Sequence, residues 1–344
     1  MSNLKLDNNV IIGNYKKPYI TAELNTSHFG EISQAKKLIH QAKLSGCDAI
    51  KLQSWTSESL YSKSFYKKNP ISKRLFDKFS LSEEQMFELW EYSKKIKIDF
   101  CSTPYSKIET DFLVEKLNVP YLKVASMDLN NYNYIGYLAS KGKPIVLSTG
   151  MGDLNEIKKA VNTIEAVKNN NICILHCVAL YPPKTSQLQL NNISGFMKSF
   201  PNYPIGYSDH SPGIEMAISA VALGASMIEK HFTLDKTKIG MDNQMAIEPN
   251  EMKMLVEKCN NVHIAMGNRY RSICKEEIQQ RRLMRRSIVS QSSIKKGSII
   301  NRDDLNFKRP GTGISPDNIR SVIGKKALKD IPIDTLIKKE DISK

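Results

Sequence analysis

His210 and His231 each close an apolar run, "YPIGYSDH" and "ASMIEKH", twenty-one residues apart. If the runs are consecutive strands of one parallel sheet, the two imidazoles are neighbours at one end of it. Neutral imidazoles with open positions suit a divalent ion of the manganese, cobalt, iron or zinc type better than magnesium, which prefers oxygen ligands. A lone histidine in such a place is more often a core group bonded to a carbonyl. It is the matched pair that points to metal. Glu23 closes an earlier run, "YITAEL", in the same manner. A carboxylate there is a candidate general acid or base, since partial burial and neighbouring charge tune its pKa; its other reading is a structural partner for a lysine.

Lys51 in "AIKLQS" and Lys123 in "YLKVAS" sit at the ends of two further runs. Buried lysines there either form a Schiff base with a carbonyl substrate or clamp a phosphate and carboxylate as point charges. Thr103, Ser126, Ser148 and Ser208 close neighbouring runs with hydroxyls. Lysines among small donors form a cradle for an anion, which favours the clamp. Each hydroxyl taken alone reads equally well as a strand-end cap. Asn25 and His28 shape the loop after Glu23, His176 reads as a core group, and Cys173 and Cys177 in "ICILHC" read as packing.

These residues need a scaffold that brings many strand ends together. Eight short apolar runs, starting at residues 19, 49, 99, 121, 144, 172, 204 and 226, alternate with amphipathic stretches such as "ISQAKKLIHQAKLSG" and "LNEIKKAVNTIEAVK". That alternation predicts β/α units with a parallel sheet, and eight of them match a closed (β/α)8 TIM barrel, whose strand ends converge on one mouth. An open doubly wound sheet is the competitor, but no Gly-x-Gly-x-x-Gly turn follows the first strand. Past residue 268 the texture changes. We read 1–268 as the barrel, 269–285 as a charged linker, and 286–344, with its short runs and Gly/Pro punctuation, as a small β-rich domain.

The bulk properties exclude several classes. The chain carries a net charge of +15, yet its basic residues are interleaved with acids and no nucleic-acid-binding motif is present, so we expect no nucleic acid partner. No run reaches the roughly 18 apolar residues of a membrane span. The first ten residues lack a secretory h-region, which leads us to expect a cytoplasmic protein with no membrane association and reduced cysteines.

The motifs "TAELNTSHFG", "AIKLQS", "FCSTPYS", "LKVAS", "PIVLSTGM", "HCVALYP", "IGYSDHS", "IEKHFTLD" and "KRPGTG" run in order over residues 10–340. Together they resemble the sialic acid synthase family, the nonulosonic acid synthases. The resemblance implies a TIM barrel joined to a small antifreeze-like (SAF, β-clip) domain in a domain-swapped homodimer. It also implies condensation of phosphoenolpyruvate with an N-acylated aminosugar, giving a nine-carbon 2-keto acid and phosphate. By that resemblance Glu23 is catalytic, and His210 and His231 hold a divalent metal, usually manganese, with magnesium or cobalt as alternatives. Lys51, Thr103, Lys123, Ser126, Ser148 and Ser208 match the phosphoenolpyruvate-binding positions. Gln53, Tyr181 and Asp242 match sugar contacts, and Arg309 matches an arginine that reads the N-acyl group in the partner subunit's site.

Two departures stand out. "HCVALYP" has Val178 and Ala179 where the family commonly has a polar pair, which removes a substrate contact. In "GMDNQMAIEP" Met241 replaces a proline, and Gln244 and Met245 are expected to reshape the sugar pocket. This stretch is nearer to the sialic and legionaminic branches than to the pseudaminic one. The competing functions are a sialic acid 9-phosphate synthase acting on a sugar 6-phosphate, a lysine Schiff-base aldolase, and a non-enzymatic carbohydrate- or ice-binding protein with the barrel as scaffold.

Overall fold

The computed structural model describes residues 2–268 and 270–344. It opens with an antiparallel hairpin that the sequence reading missed, β1 (Asn3–Lys5) and β2 (Ile11–Gly13). All eight expected strands follow: β3 (Tyr19–Glu23), β4 (Ala49–Ser54), β5 (Asp99–Pro104), β6 (Leu122–Val124), β7 (Ile145–Ser148), β8 (Ile172–Cys177), β9 (Ile205–Asp209) and β10 (Met227–His231). They pair in parallel in the order β5-β4-β3-β10-β9-β8-β7-β6, and the end strands β5 and β6 lie against each other, giving a near-closed TIM-like barrel.

Why these runs become strands follows from their two faces. Ile20, Ala22, Ile50, Leu52, Leu122, Val124, Ile145 and Leu147 belong to the large core that packs sheet against surrounding helices. Their alternating neighbours Tyr19, Ala49, Cys101, Tyr121, Val146, Cys173, Leu175 and Met227 form a separate apolar cluster inside the barrel, joined there by Leu4, Leu6 and Ile12 of the hairpin segment. Strands buried on both faces are apolar nearly throughout, as parallel sheets require. The hairpin therefore plugs one end of the barrel, and the polar positions are left at the other.

Helices fill most of the connections, including Ile32–Leu44, Glu83–Ile96 and Leu154–Ala166. Between β4 and Glu83 the chain also folds three short helices, Ser57–Leu60, Lys63–Lys68 and Pro70–Phe79, around Trp55, Tyr66, Phe76 and Phe79. Among the described residues no helix is long and apolar enough to cross a membrane.

The chain divides into two compact units, Met1–Gly267 and Asn268–Lys344. Within 269–285, read from the sequence as a charged linker, Lys275–Met284 form a helix capped by Cys274 Sγ, which accepts the Glu277 N–H. That helix belongs to the second unit. Beyond it β11 (Ser287–Ser290) and β12 (Leu305–Lys308) pair antiparallel, and Ile288, Ile300, Leu305, Val322, Ile331 and Ile337 give this unit its own core.

Candidate active site

The open end of the barrel holds a cavity of about 260 Å³. Lys51, Thr103, Lys123, Ser148 and Ser208 line its floor from five different strands or strand ends, and Glu23 and Glu229 lie among them. Ser126 follows β6 and lines the same wall, while Gln53, Tyr181, Asp242, His210 and His231 stand nearer the rim. Twelve of the thirteen residues given a catalytic, metal or binding role by the sequence reading thus share one cavity; Arg309 lies in the second unit, directly after β12.

The floor is an alternating charge network. Lys51 contacts Glu23 Oε2 and donates to Thr103 Oγ1 at 3.0 Å. Lys123 donates to Ser148 Oγ at 2.6 Å. Between the two ammonium groups stands Glu229, with Oε1 at 3.8 Å from Lys51 and 3.7 Å from Lys123, accepting the Ser208 hydroxyl at 3.1 Å. Its other oxygen is buried with no hydrogen-bond partner among the described residues. Burial opposes the charge on Glu229, but Lys123 and Lys51 hold its carboxyl below the ordinary range. Burial likewise pushes the Glu23 carboxyl up to about 7 against the pull of Lys51, and lowers Lys123 despite Glu229. Lys51, equally buried, is held above the usual lysine value by Glu229 and Glu23.

Glu23 is also fixed through Oε1, which accepts the Asn25 N–H at 2.9 Å and the Gln53 amide at 3.5 Å. Asn25 reaches across to Asp242 through its side-chain amide. It therefore does more than shape a loop. His28 does shape that loop, accepting the Gly30 N–H at 3.0 Å.

The imidazoles of His210 and His231 are neighbours, ring centroids 5.2 Å apart, and Tyr181 stacks on His210 at 4.3 Å. His210 Nδ1 donates to the Val178 carbonyl at 2.9 Å, which fixes the tautomer and leaves Nε2 as the lone-pair nitrogen. Behind the site, Lys230 and Asp209 form a buried pair at 2.8 Å, and Asp209 also accepts the Ser211 N–H and hydroxyl. This pair anchors the turn that carries His210.

The NeuB family profile matches residues 38–271. The chain belongs to the NeuB family. The SAF domain profile matches residues 285–343. An uncharacterised protein of Methanocaldococcus jannaschii is 39% identical over 96% of this chain and 96% of its own. The N,N'-diacetyllegionaminic acid synthase of Legionella pneumophila is 34% identical over 99% of each chain. The crystal structure of an N-acetylneuraminic acid synthetase from Leptospira borgpetersenii superposes with a TM-score of 0.75 at 31% identity, over 81% of this chain and 95% of that one. Membership makes this chain an enzyme of the sialic acid synthase type.

The donor set fits the metal that the NeuB resemblance implies. Burial lowers the pKa of both His210 and His231, keeping the imidazoles in the neutral form that ligates. Among the described residues no group of three or more His, Cys, Asp or Glu is arranged to hold a metal, so an ion here would take two imidazoles and leave its other positions to water or substrate oxygen.

Sequence reasoning missed Glu229 and Asn243. Period-two alternation backward from His231 would have found the first, since Met227, Glu229 and His231 share the inner face of β10 while Ile228 and Lys230 share the outer. Asn243 is buried and ties its loop together by donating to the Asp235 and Lys238 carbonyls, at 2.7 and 2.8 Å, beside Asp242. Two expectations are corrected. Met241, Gln244 and Met245 do not line the cavity: Met241 and Gln244 face solvent and Met245 packs inward. Cys177 is a cavity residue, with Ser126 Oγ at 3.6 Å from its sulfur, whereas Cys173 does pack in the barrel interior. The Val178 side chain is apolar, and its carbonyl accepts the His210 Nδ1–H.

Proposed function

We propose that this NeuB-family enzyme is a nonulosonic acid synthase that condenses phosphoenolpyruvate with an N-acylated hexosamine to a nine-carbon 2-keto acid and phosphate. The observation that carries this reading is the pair of buried ammonium groups, Lys51 and Lys123, ringed by Thr103, Ser148 and Ser208 and facing two neutral imidazoles across one cavity. The first set suits the phosphate and carboxylate of the enolpyruvate. His210 and His231 would hold the divalent ion, for which manganese is our proposal, and its chemistry is Lewis-acid polarisation of the sugar aldehyde.

The reaction forms a bond between the methylene carbon of phosphoenolpyruvate and the aldehyde carbon. Positive charge develops at C2, water adds there, and the resulting hemiketal phosphate collapses with cleavage of the C–O bond, releasing phosphate. Glu23 would move the protons, a reading supported by burial, which has raised its carboxyl to about 7, where both protonation states are accessible. Gln53 and Asn25 hold it in position, and Tyr181 and Asp242 stand where the sugar would enter. Arg309 is proposed to read the N-acyl group in the site of a partner subunit.

Release of inorganic phosphate from phosphoenolpyruvate, dependent on an N-acylated hexosamine and abolished by EDTA, tests the reading. Glu23→Gln should lower kcat by roughly 100- to 10,000-fold, the usual range for an acid-base group. The lowered pKa of Lys123 is the observation that favours a lysine aldolase. Activity surviving chelation, with borohydride trapping a pyruvate adduct, would establish that alternative instead.

A further inference from the structure

Tyr105, two residues beyond Thr103 in "FCSTPYS", follows β5 directly and lines the cavity. Its ring and its hydroxyl have different surroundings. The half-buried ring packs on Trp55, Tyr66, Phe76 and Phe79, the aromatic cluster of the three short helices after β4, and the Tyr105 N–H donates to the Ser54 carbonyl at 3.2 Å. Packing needs only the ring. The hydroxyl makes one hydrogen bond among the described residues, donating to Gln53 Oε1 at 3.2 Å.

An amide oxygen and an amide NH2 are nearly alike in size, so shape alone lets the Gln53 amide sit either way round. A donor aimed at Oε1 removes the ambiguity. With Oε1 held by Tyr105, the NH2 group is turned to Glu23, where one N–H meets Oε1 at 3.5 Å beside the Asn25 N–H at 2.9 Å. The second N–H has no partner among the described residues, and Gln53 lines the cavity.

Glu23 alone cannot hold this orientation through a turnover. On the synthase reading, on which this inference rests, it takes up and gives up a proton. An ionised carboxylate only accepts and draws the NH2 group, whereas a protonated one can donate its O–H to the amide oxygen and so favours the reversed amide. Tyr105 opposes that reversal. A reversed amide would turn its NH2 to Tyr105 Oη, and the Tyr105 proton would lose the one acceptor that the described residues give it. We propose that Tyr105 is a positioning residue for the reaction: its hydroxyl keeps the NH2 group of Gln53 toward Glu23 whichever protonation state Glu23 holds. The aromatic helices after β4 thereby serve the site, because they clamp the ring that carries this hydroxyl.

The test is a double-variant cycle in steady-state phosphate release from phosphoenolpyruvate, with manganese and either N-acetylmannosamine or the 2,4-diacetamido hexose that the parent turns over faster. Tyr105→Phe keeps the ring in its cluster and removes only the hydroxyl; Gln53→Met keeps the length and removes the amide. We expect Tyr105→Phe alone to lower kcat by roughly three- to tenfold, the worth of one hydrogen bond, with the KM for phosphoenolpyruvate changed less than about twofold. In the Gln53→Met protein, which has no amide to orient, the same substitution should cost less than about twofold more. Urea titrations of the four proteins should show the same coupling, the two losses in stability being less than additive. An unchanged kcat in Tyr105→Phe overturns the inference, and so does a loss in the Gln53→Met background equal to that in the parent, since the hydroxyl would then act by another route. In both cases the synthase reading stands on the parent's activity. A parent that releases no phosphate with either sugar removes that reading and this role together.

Discussion

Glu229 shows how much one side chain can organise. It stands between two ammonium groups that would otherwise face each other across a buried floor. Removing one partner from such a network leaves uncompensated charge and costs roughly 3–5 kcal/mol. Glu229→Gln should therefore lower the melting temperature, and millimolar inorganic phosphate should restore more of the loss in the variant than it adds to the parent, because the anion replaces the missing charge. Equal phosphate shifts in the two proteins would speak against this account. Glu23 yields a prediction with a definite sign. Its folded-state pKa, about 7, lies above the ordinary carboxylate value, so the folded protein binds the extra proton and the group's stability contribution is full below about 4.5 and lost as pH rises through about 7. In EDTA, Glu23→Gln should gain in melting temperature relative to the parent between pH 5 and pH 8; a constant difference across that range would show that Glu23 does not titrate there. Glu23, His210 and His231 were legible because each closes an apolar run in a group that a core does not accept, and Lys51 and Lys123 because each interrupts one. Glu229 interrupts its strand as the two lysines do theirs, but it was passed over beside the histidine two residues on.

At the scale of elements, strand alternation explains both what was read and what was missed. The eight barrel strands were plain in the sequence because burial on both faces makes them continuous apolar runs. The hairpin β1–β2 was not, since three-residue strands carry too little pattern, and neither were the three short helices after β4, whose aromatic residues pack on one another rather than in a helical stripe. The outer face of β9 and β10 holds the Lys230–Asp209 pair, with both side chains essentially inaccessible to solvent. Asp209→Asn should destabilise the barrel by about 3–5 kcal/mol by stranding the ammonium, while the double substitution Asp209→Asn with Lys230→Met should recover part of that. Urea titrations of the four proteins close the cycle, and additive losses would mean that the pair is not coupled.

For the whole molecule, the charge of the segment after residue 268 hid the helix Lys275–Met284, because a helix polar on every side has no apolar stripe to read. The proposal for Arg309 is testable at this scale. If Arg309 acts in a partner's site, Arg309→Ala and Glu23→Gln proteins, each nearly inactive, should regain activity when co-expressed or exchanged, since a mixed dimer keeps one site with both residues intact. Mixtures that stay inactive, although subunit exchange is shown by mass, would place Arg309 outside the site.

The plug formed by Leu4, Leu6 and Ile12 has a consequence for traffic. Among the described residues it closes the barrel at that end, which leaves the lysine-bearing floor as the most remote point of the cavity and the rim, at Tyr181 and Asp242, nearest to bulk water. Cargo that must reach the floor has to arrive before the mouth is filled, and whatever is released there departs only after the mouth has emptied. If the enolpyruvate occupies the floor as proposed, the shape of the container would set the order of arrival and departure, ahead of any affinity.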